Sequence, residues 1–147
     1  MKIFGIICEY NHFHNGHARQ LEFCRSNGAD LIFCAMSGDF TQRGEPAVLE
    51  KRIRAKHAVQ SGADLVAELP LPYAAAGAKD FAEGGVKLLE KMGCTHICFG
   101  SECGNISLLE KAAELIDSDS FNNSLKLHVK AGKSYPVSAE LAGEEYG

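Results

Sequence analysis

The chain of 147 residues carries 15 Lys and Arg against 19 Asp and Glu, a formal charge of −4 with its six histidines neutral. With 46% hydrophobic residues it is one domain's worth of chain, able to bury roughly 68% of its unfolded surface, which excludes a disordered segment. No apolar run approaches the roughly 20 residues of a spanning helix, and the mild acidity excludes coating nucleic acid by bulk charge while leaving room for a local basic patch.

The opening MKIFGIICEY has no charged stretch followed by a long apolar one. Cys8, Cys24, Cys34, Cys94, Cys98 and Cys103 therefore read as reduced thiols of a cytoplasmic protein, and as small core hydrophobes rather than a disulfide frame. Residues 2–9 form a β-rich apolar run ended by Tyr10, Asn11 and His12, which reads as a buried strand. A helix follows from Gly16, with Ala18, Leu21, Glu22 and Arg25 at helical spacing and Asn27-Gly28 as its C-terminal cap. Gly28-Ala29-Asp30 then precedes an apolar run at 31–36, Gly62-Ala63-Asp64 one at 65–69, and Gly93-Cys94-Thr95 one at 96–99. These glycines recur about every 30 residues, the length of one strand-plus-helix unit. Residues 48–61 and 79–92 carry helix-period apolar positions between them.

Apolar strands alternating with helices predict a Rossmann-like α/β fold, a parallel sheet with helices on both faces. The expected domain covers residues 1–135, with a last helix at 122–131; residues 136–147 read as a tail or the start of a further region. In such a sheet ligands bind beyond the carboxyl ends of the strands, at the loops after Glu9, Met36, Leu69 and Phe99.

The loop after the first strand runs Glu9-Tyr10-Asn11-His12-Phe13-His14-Asn15-Gly16-His17. His14 and His17, three apart, share one side of a helix's first turn. Free backbone N–H groups and the helix dipole make that end an anion site, and Gly16 lets a phosphate approach the backbone. Two imidazoles donating to a pentacoordinate phosphate would stabilise the charge that builds up in nucleotidyl transfer. A cluster of His12, His14, His17 and Glu9 holding a metal is a competing reading that the helix start disfavours.

The histidine-x-glycine-histidine pattern resembles that of the nucleotidyltransferase superfamily. GIICEYNHFHNGH, MSGDFTQRGEPA at 36–47, Glu68-Leu69-Pro70 and Phe99-Gly100-Ser101-Glu102 together resemble the bacterial tRNA(Met) cytidine acetate ligase family. The resemblance runs to about Asn105 and more weakly through Tyr135-Pro136, with His12 where the family has proline. It implies that ATP and acetate give acetyl-adenylate and that the acetyl group passes to N4 of the wobble cytidine of elongator tRNA(Met). It implies nucleotide contacts from Ile7, Cys8, Glu9, Tyr10, Asn11, Phe13, His14, Asn15, Gly16, His17 and Gln20, with Gly100, Ser101 and Glu102 meeting the adenine or ribose. Magnesium is expected with the triphosphate, held mainly by its oxygens. The chain would be about the first third of such a protein, against the usual 100 to 200 residues per domain, with most of the tRNA surface beyond it.

Catalysis is expected to draw on His14, His17, Asp39 and Arg43. Arg43 would fork acetate or phosphate from a loop mobile enough to close over substrate, and Asp39 would position magnesium or the target amine. Lys51, Arg52, Arg54 and Lys56 make the most basic stretch, offered either to tRNA phosphates or simply to water. Tyr10, Phe13 and Phe40 flank the site as base-stacking or wall residues. The alternatives are another adenylyl or cytidylyl transferase on the same scaffold, or a non-catalytic nucleotide- or tRNA-binding module. No membrane partner is expected, and the oligomeric state is left open.

Overall fold

The computed structural model describes residues 1–146. The chain divides into two compact units, Met1–Phe99 and a second from Gly100 onward. Compactness thus breaks at Phe99 rather than at residue 135.

The first unit runs β1 (Ile3–Cys8), α1 (Asn15–Ser26), β2 (Leu31–Ser37), α2 (Lys51–Gln60), β3 (Leu65–Leu69), α3 (Leu71–Ala74), α4 (Ala78–Lys91) and β4 (His96–Ile97). The sheet order is β3-β2-β1-β4 and every pairing is parallel, with Ile3 opposite Leu31, Phe33 opposite Leu65 and Phe4 opposite His96. The chain moves outward from β1 through β2 to β3 and then returns to β1's other edge. The strand order therefore reverses at β1, and the carboxyl end of β1 opens at that switch point.

Alternation along the strands sorts their side chains between two faces. Phe4, Ile6, Ile32, Cys34 and Met36 form one buried cluster with Leu21 and Cys24 of α1 and Ala58 of α2. On the other face, a Cβ at Gly5 would stand 2.8 Å from Leu89 Cδ1, and one at Gly85 would stand 2.6 Å from Ile7 Cδ1. Glycine on both sides of this contact lets α4 sit close to the sheet. Gly85→Ala should gain about 0.5–1 kcal/mol of helix propensity but lose about 1–3 kcal/mol to overpacking, a net destabilisation. A lower urea midpoint at unchanged m-value is the expected result, and an unchanged midpoint would mean that Ile7 yields without cost. The expected doubly covered parallel sheet is the one observed.

All six cysteines are free; Cys24 and Cys34 are buried, Cys8, Cys94 and Cys98 half-buried, and Cys103 is exposed in the second unit. No described helix is long and apolar enough to cross a membrane.

The second unit consists of α5 (Ile106–Asp117), α6 (Asp119–Lys130) and α7 (Tyr135–Glu144). Asn105 and Ser118 cap α5 and α6 through their side chains. The segment expected as a tail or the start of a further region carries helix α7, started by Pro136 in its first turn and burying Ser138 and Ala142. Glu145 ties α7 to α6 by accepting from Ser124 Oγ at 2.6 Å and meeting His128 Nε2 at 3.1 Å. Gly147, the last residue of that expected tail, lies outside the described residues.

Candidate active site

β1 ends at Cys8, and the chain turns sharply before entering α1. Tyr10 takes a positive φ of 46°, and the Asn11–His12 peptide is cis. The turn drives the Tyr10 side chain into the core, where it is 1% exposed and its hydroxyl lies 3.5 Å from Cys34 Sγ. Tyr10 therefore presents no free face to a base. It backs the His17 ring instead, at 4.8 Å between centroids, with Phe13 5.5 Å from the same ring.

His14 is the N-cap of α1, and its Nδ1 accepts from the Gly16 N–H at 3.1 Å. The His14 N–H in turn donates to His17 Nδ1 at 3.3 Å, a reciprocal cap built from two imidazoles. Each Nδ1 is an acceptor, so each neutral ring carries its proton on Nε2. The rings stack at 3.7 Å and 22°, setting two N–H donors side by side at the switch point. Burial holds His17 below the ordinary histidine range, with His14 and His12 adding to the effect.

Among the described residues, the free amides expected at this helix start are reduced to one, the Asn15 N–H. The Gly16 N–H is taken by the His14 ring, while the His17 and Ala18 N–H groups bond His14 O at 2.9 and 3.2 Å. Anion capture here falls to the imidazole N–H groups, the Asn15 N–H and the dipole, with no acidic side chain in the first turn to oppose them. The space beside Gly16 holds the His14 ring, whose Cε1 would lie 2.9 Å from an added Cβ.

Residues 39–48 form a closed loop rather than a loose flap. Phe40 bridges Pro46, the Thr41 N–H donates to Glu45 O at 2.8 Å, and Gly44 turns with φ 77°. Glu9 accepts from the Gln42 N–H through Oε1, Asn11 Oδ1 accepts from the Val48 N–H at 2.7 Å, and Gln42 Nε2 donates to Ala76 O at 3.1 Å. Glu9 and Asn11 thus tie the loop after β1 to the loop after β2. Gln20 Nε2 donates to Cys98 O at 3.3 Å and ties α1 to the end of β4. Ile7 and Cys8 are half-buried strand residues, and Asn15 is the exposed first residue of α1.

Asp39 and Glu68 share Lys51, whose Nζ lies 3.2 Å from Asp39 Oδ2 and 2.8 Å from Glu68 Oε1. These carboxylates hold the Lys51 ammonium above its ordinary range, Glu68 foremost, and its charge is already balanced locally. Lys51 and Glu68 line a cavity of about 380 Å³ together with Met36, Ser37, Arg52, Ala55 and Val66. Arg43 is exposed and makes no ion pair among the described residues. Arg52 and Lys56 are exposed on α2. Arg54 is not: it is 0% exposed, donating from Nε to Leu49 O at 2.9 Å, from Nη1 to Glu9 O and from Nη2 to Gly38 O. A buried guanidinium engaged by carbonyls cannot meet RNA phosphates, which corrects its expected place on the basic face. Gly100, Ser101 and Glu102 belong to the second unit, exposed in the irregular stretch ahead of α5.

A family model described as HIGH Nucleotidyl Transferase matches residues 1–147. The tRNA(Met) cytidine acetate ligase of Acetivibrio thermocellus is 46% identical over 150 residues, taking in 99% of this chain and 36% of its own length. The Bacillus subtilis protein of the same name is 45% identical over 145 residues, taking in 97% and 35%. The crystal structure of Thermotoga maritima TmcAL bound with alpha-thio ATP is similar at a TM-score of 0.92 and 39% identity, covering 99% of this chain and 36% of that one. The chain therefore spans 36% or less of the length of these relatives.

Proposed function

The chain belongs to the HIGH nucleotidyl transferase family, and from that premise we propose that it is the ATP-binding part of a ligase that acetylates N4 of the wobble cytidine of elongator tRNA(Met). An acetate oxygen attacks the α-phosphate of ATP and pyrophosphate leaves; the cytidine amine then attacks the acetyl carbonyl and AMP leaves. One observation carries the reading: two stacked imidazoles with their remaining protons on Nε2 stand at the switch point of a fold whose Thermotoga maritima relative binds alpha-thio ATP. Donors fixed before the reaction need no reorganisation when charge grows on the phosphate, which is where such groups contribute most.

In this reading His14 and His17 stabilise the phosphate, Arg43 forks acetate or a phosphate oxygen, and Asp39 helps orient magnesium or the amine. The loop after β1 and Gln20 supply further nucleotide contacts. No three His, Cys, Asp or Glu side chains converge as a metal cage among the described residues. The magnesium that accompanies ATP would be held mainly by the oxygens of the triphosphate. Six free thiols support a reducing compartment, and we assign the reaction to the cytoplasm.

The test is acetate-dependent exchange of labelled pyrophosphate into ATP by the intact protein, followed by acetylcytidine in elongator tRNA(Met). Exchange driven by another acid or a phosphate ester, and not by acetate, would replace this reading with another adenylyl or cytidylyl transferase. ATP binding with neither exchange nor acetylcytidine would leave a nucleotide- or tRNA-binding module.

Arg52 and Lys56, one helical turn apart and exposed, are the tRNA-facing part of the basic stretch in this reading, with Lys51 beside them. Reversing both charges to Glu should weaken tRNA binding by at least about tenfold, lower the salt slope by about one for each lost phosphate contact, and spare ATP affinity. Equal tRNA affinity across a salt series would assign this face to solvent.

A further inference from the structure

We propose that Arg54 is the positioning residue of this site: its buried guanidinium sets the loop after β1, and with it the His14–His17 pair, by bridging the backbone carbonyls of Glu9 and Gly38. The proposal rests on the reading of that pair as the phosphate-binding groups.

Arg54 comes first among the largest fully buried side chains, and no carboxylate stands within ion-pair distance of it among the described residues. An arginine buried without a counter-charge is costly unless its donors are met, and here they are met by the carbonyls of Leu49, Glu9 and Gly38. Burial lowers its proton affinity, with Asp39 foremost in opposing the change, and a guanidinium stays charged through such a shift.

The positions of the acceptors carry the inference. The β1–β2 ladder ends with Cys8 opposite Met36. Glu9 and Gly38 are the residues just past the ends of β1 and β2, one leading into the histidine loop and the other toward Asp39. Neighbouring strands lie about 4.8 Å apart, a span that one planar fork with two terminal nitrogens can bridge. Arg54 thus prolongs the ladder by one rung, just where the loops diverge. The residue after Glu9 is Tyr10, whose positive φ carries its ring beneath His17. From guanidinium to imidazole the linkage passes through one carbonyl and one packed ring. Lysine would offer a single point donor on a flexible stem and could not hold both carbonyls in one plane.

Arg54→Lys in the intact protein, assayed by pyrophosphate exchange, should lower kcat about 100-fold, as expected when a reacting group is misplaced by about 1 Å. KM for ATP should stay within about threefold. Arg54→Ala should lose activity similarly and recover part of it on addition of guanidinium ion, but not of ammonium ion. Independently of turnover, proton NMR of this chain should find the His17 titration in Arg54→Lys moved up toward the ordinary histidine value as its packing loosens. Wild-type kcat in Arg54→Lys, loss of activity that only follows the unfolded fraction without guanidinium rescue, or an unmoved His17 titration would each overturn the proposal. A wild-type protein that catalyses no exchange would instead remove the ATP reading, and the His17 titration would still decide whether Arg54 positions the pair.

Discussion

Alanine at His14 or His17 should slow adenylate formation by roughly 100-fold or more while ATP affinity changes modestly, because the Nε2–H groups act chiefly where charge develops. His14 is also the N-cap of α1, so its removal should cost about 1 kcal/mol of stability as well. His14→Asn separates the two roles, since asparagine is a strong N-cap without an imidazole. It should restore the melting temperature and leave the rate low. Acid should act in the same direction as the alanine variants. His17 is held below the ordinary histidine range by burial first and by His14 and His12 next, so it is neutral at pH 7. The stability this neutral ring contributes is present above about 6.5, the ordinary value, and lost as pH falls through the lower folded value. Turnover by His17→Ala at wild-type level, measured as exchange at pH 7, would remove that ring from the mechanism.

Gly16→Val should abolish ATP binding while leaving the fold standing. The backbone there is ordinary helix, so valine meets no dihedral barrier, only the His14 ring. Its Cβ would begin 2.9 Å from His14 Cε1 and 3.1 Å from Nδ1, and the branched carbons reach further. The imidazole must swing out, breaking the bond from the Gly16 N–H and the 3.7 Å stack on His17. With the displaced ring and the valine carbons filling the space at the helix start that a phosphate would take, titration calorimetry should find ATP affinity down by about 100-fold or more, with alanine at the same position intermediate, as a rising steric demand requires. Normal affinity in the valine variant would mean that no phosphate approaches the helix start at Gly16.

Much of this layout was legible in the linear pattern, for a physical reason. Parallel strands covered on both faces must be nearly continuous in apolar residues, so the runs after Gly28, Gly62 and Gly93 stand out against the polar helix faces. A signature directly after the first such run lands at the carboxyl edge of the sheet, and the strand order makes that edge the switch point. What stayed hidden depends on partners distant in sequence. Arg52, Arg54 and Lys56 look alike along one basic helix, and only the third dimension supplies the carbonyls of Glu9 and Gly38 that draw Arg54 inward. Its spacing of four from the buried Ala58 was the one local hint. Tyr10 likewise read as a wall or stacking residue because its positive φ, which turns the ring into the core, leaves no trace in composition. Helix α7 was missed because Ser138 and Ala142 are too small to mark an apolar stripe, although they pack well against a neighbouring helix.

The reciprocal cap sets a limit on what protonation can achieve at this corner. An extra proton on either imidazole must go to Nδ1, the atom that keeps α1 fastened at its beginning. A doubly cationic pair would attract a polyanion more strongly, yet it would also unlatch the first turn that aims both rings. Under the proposed function the corner would trade electrostatic pull from these two side chains for fixed aim.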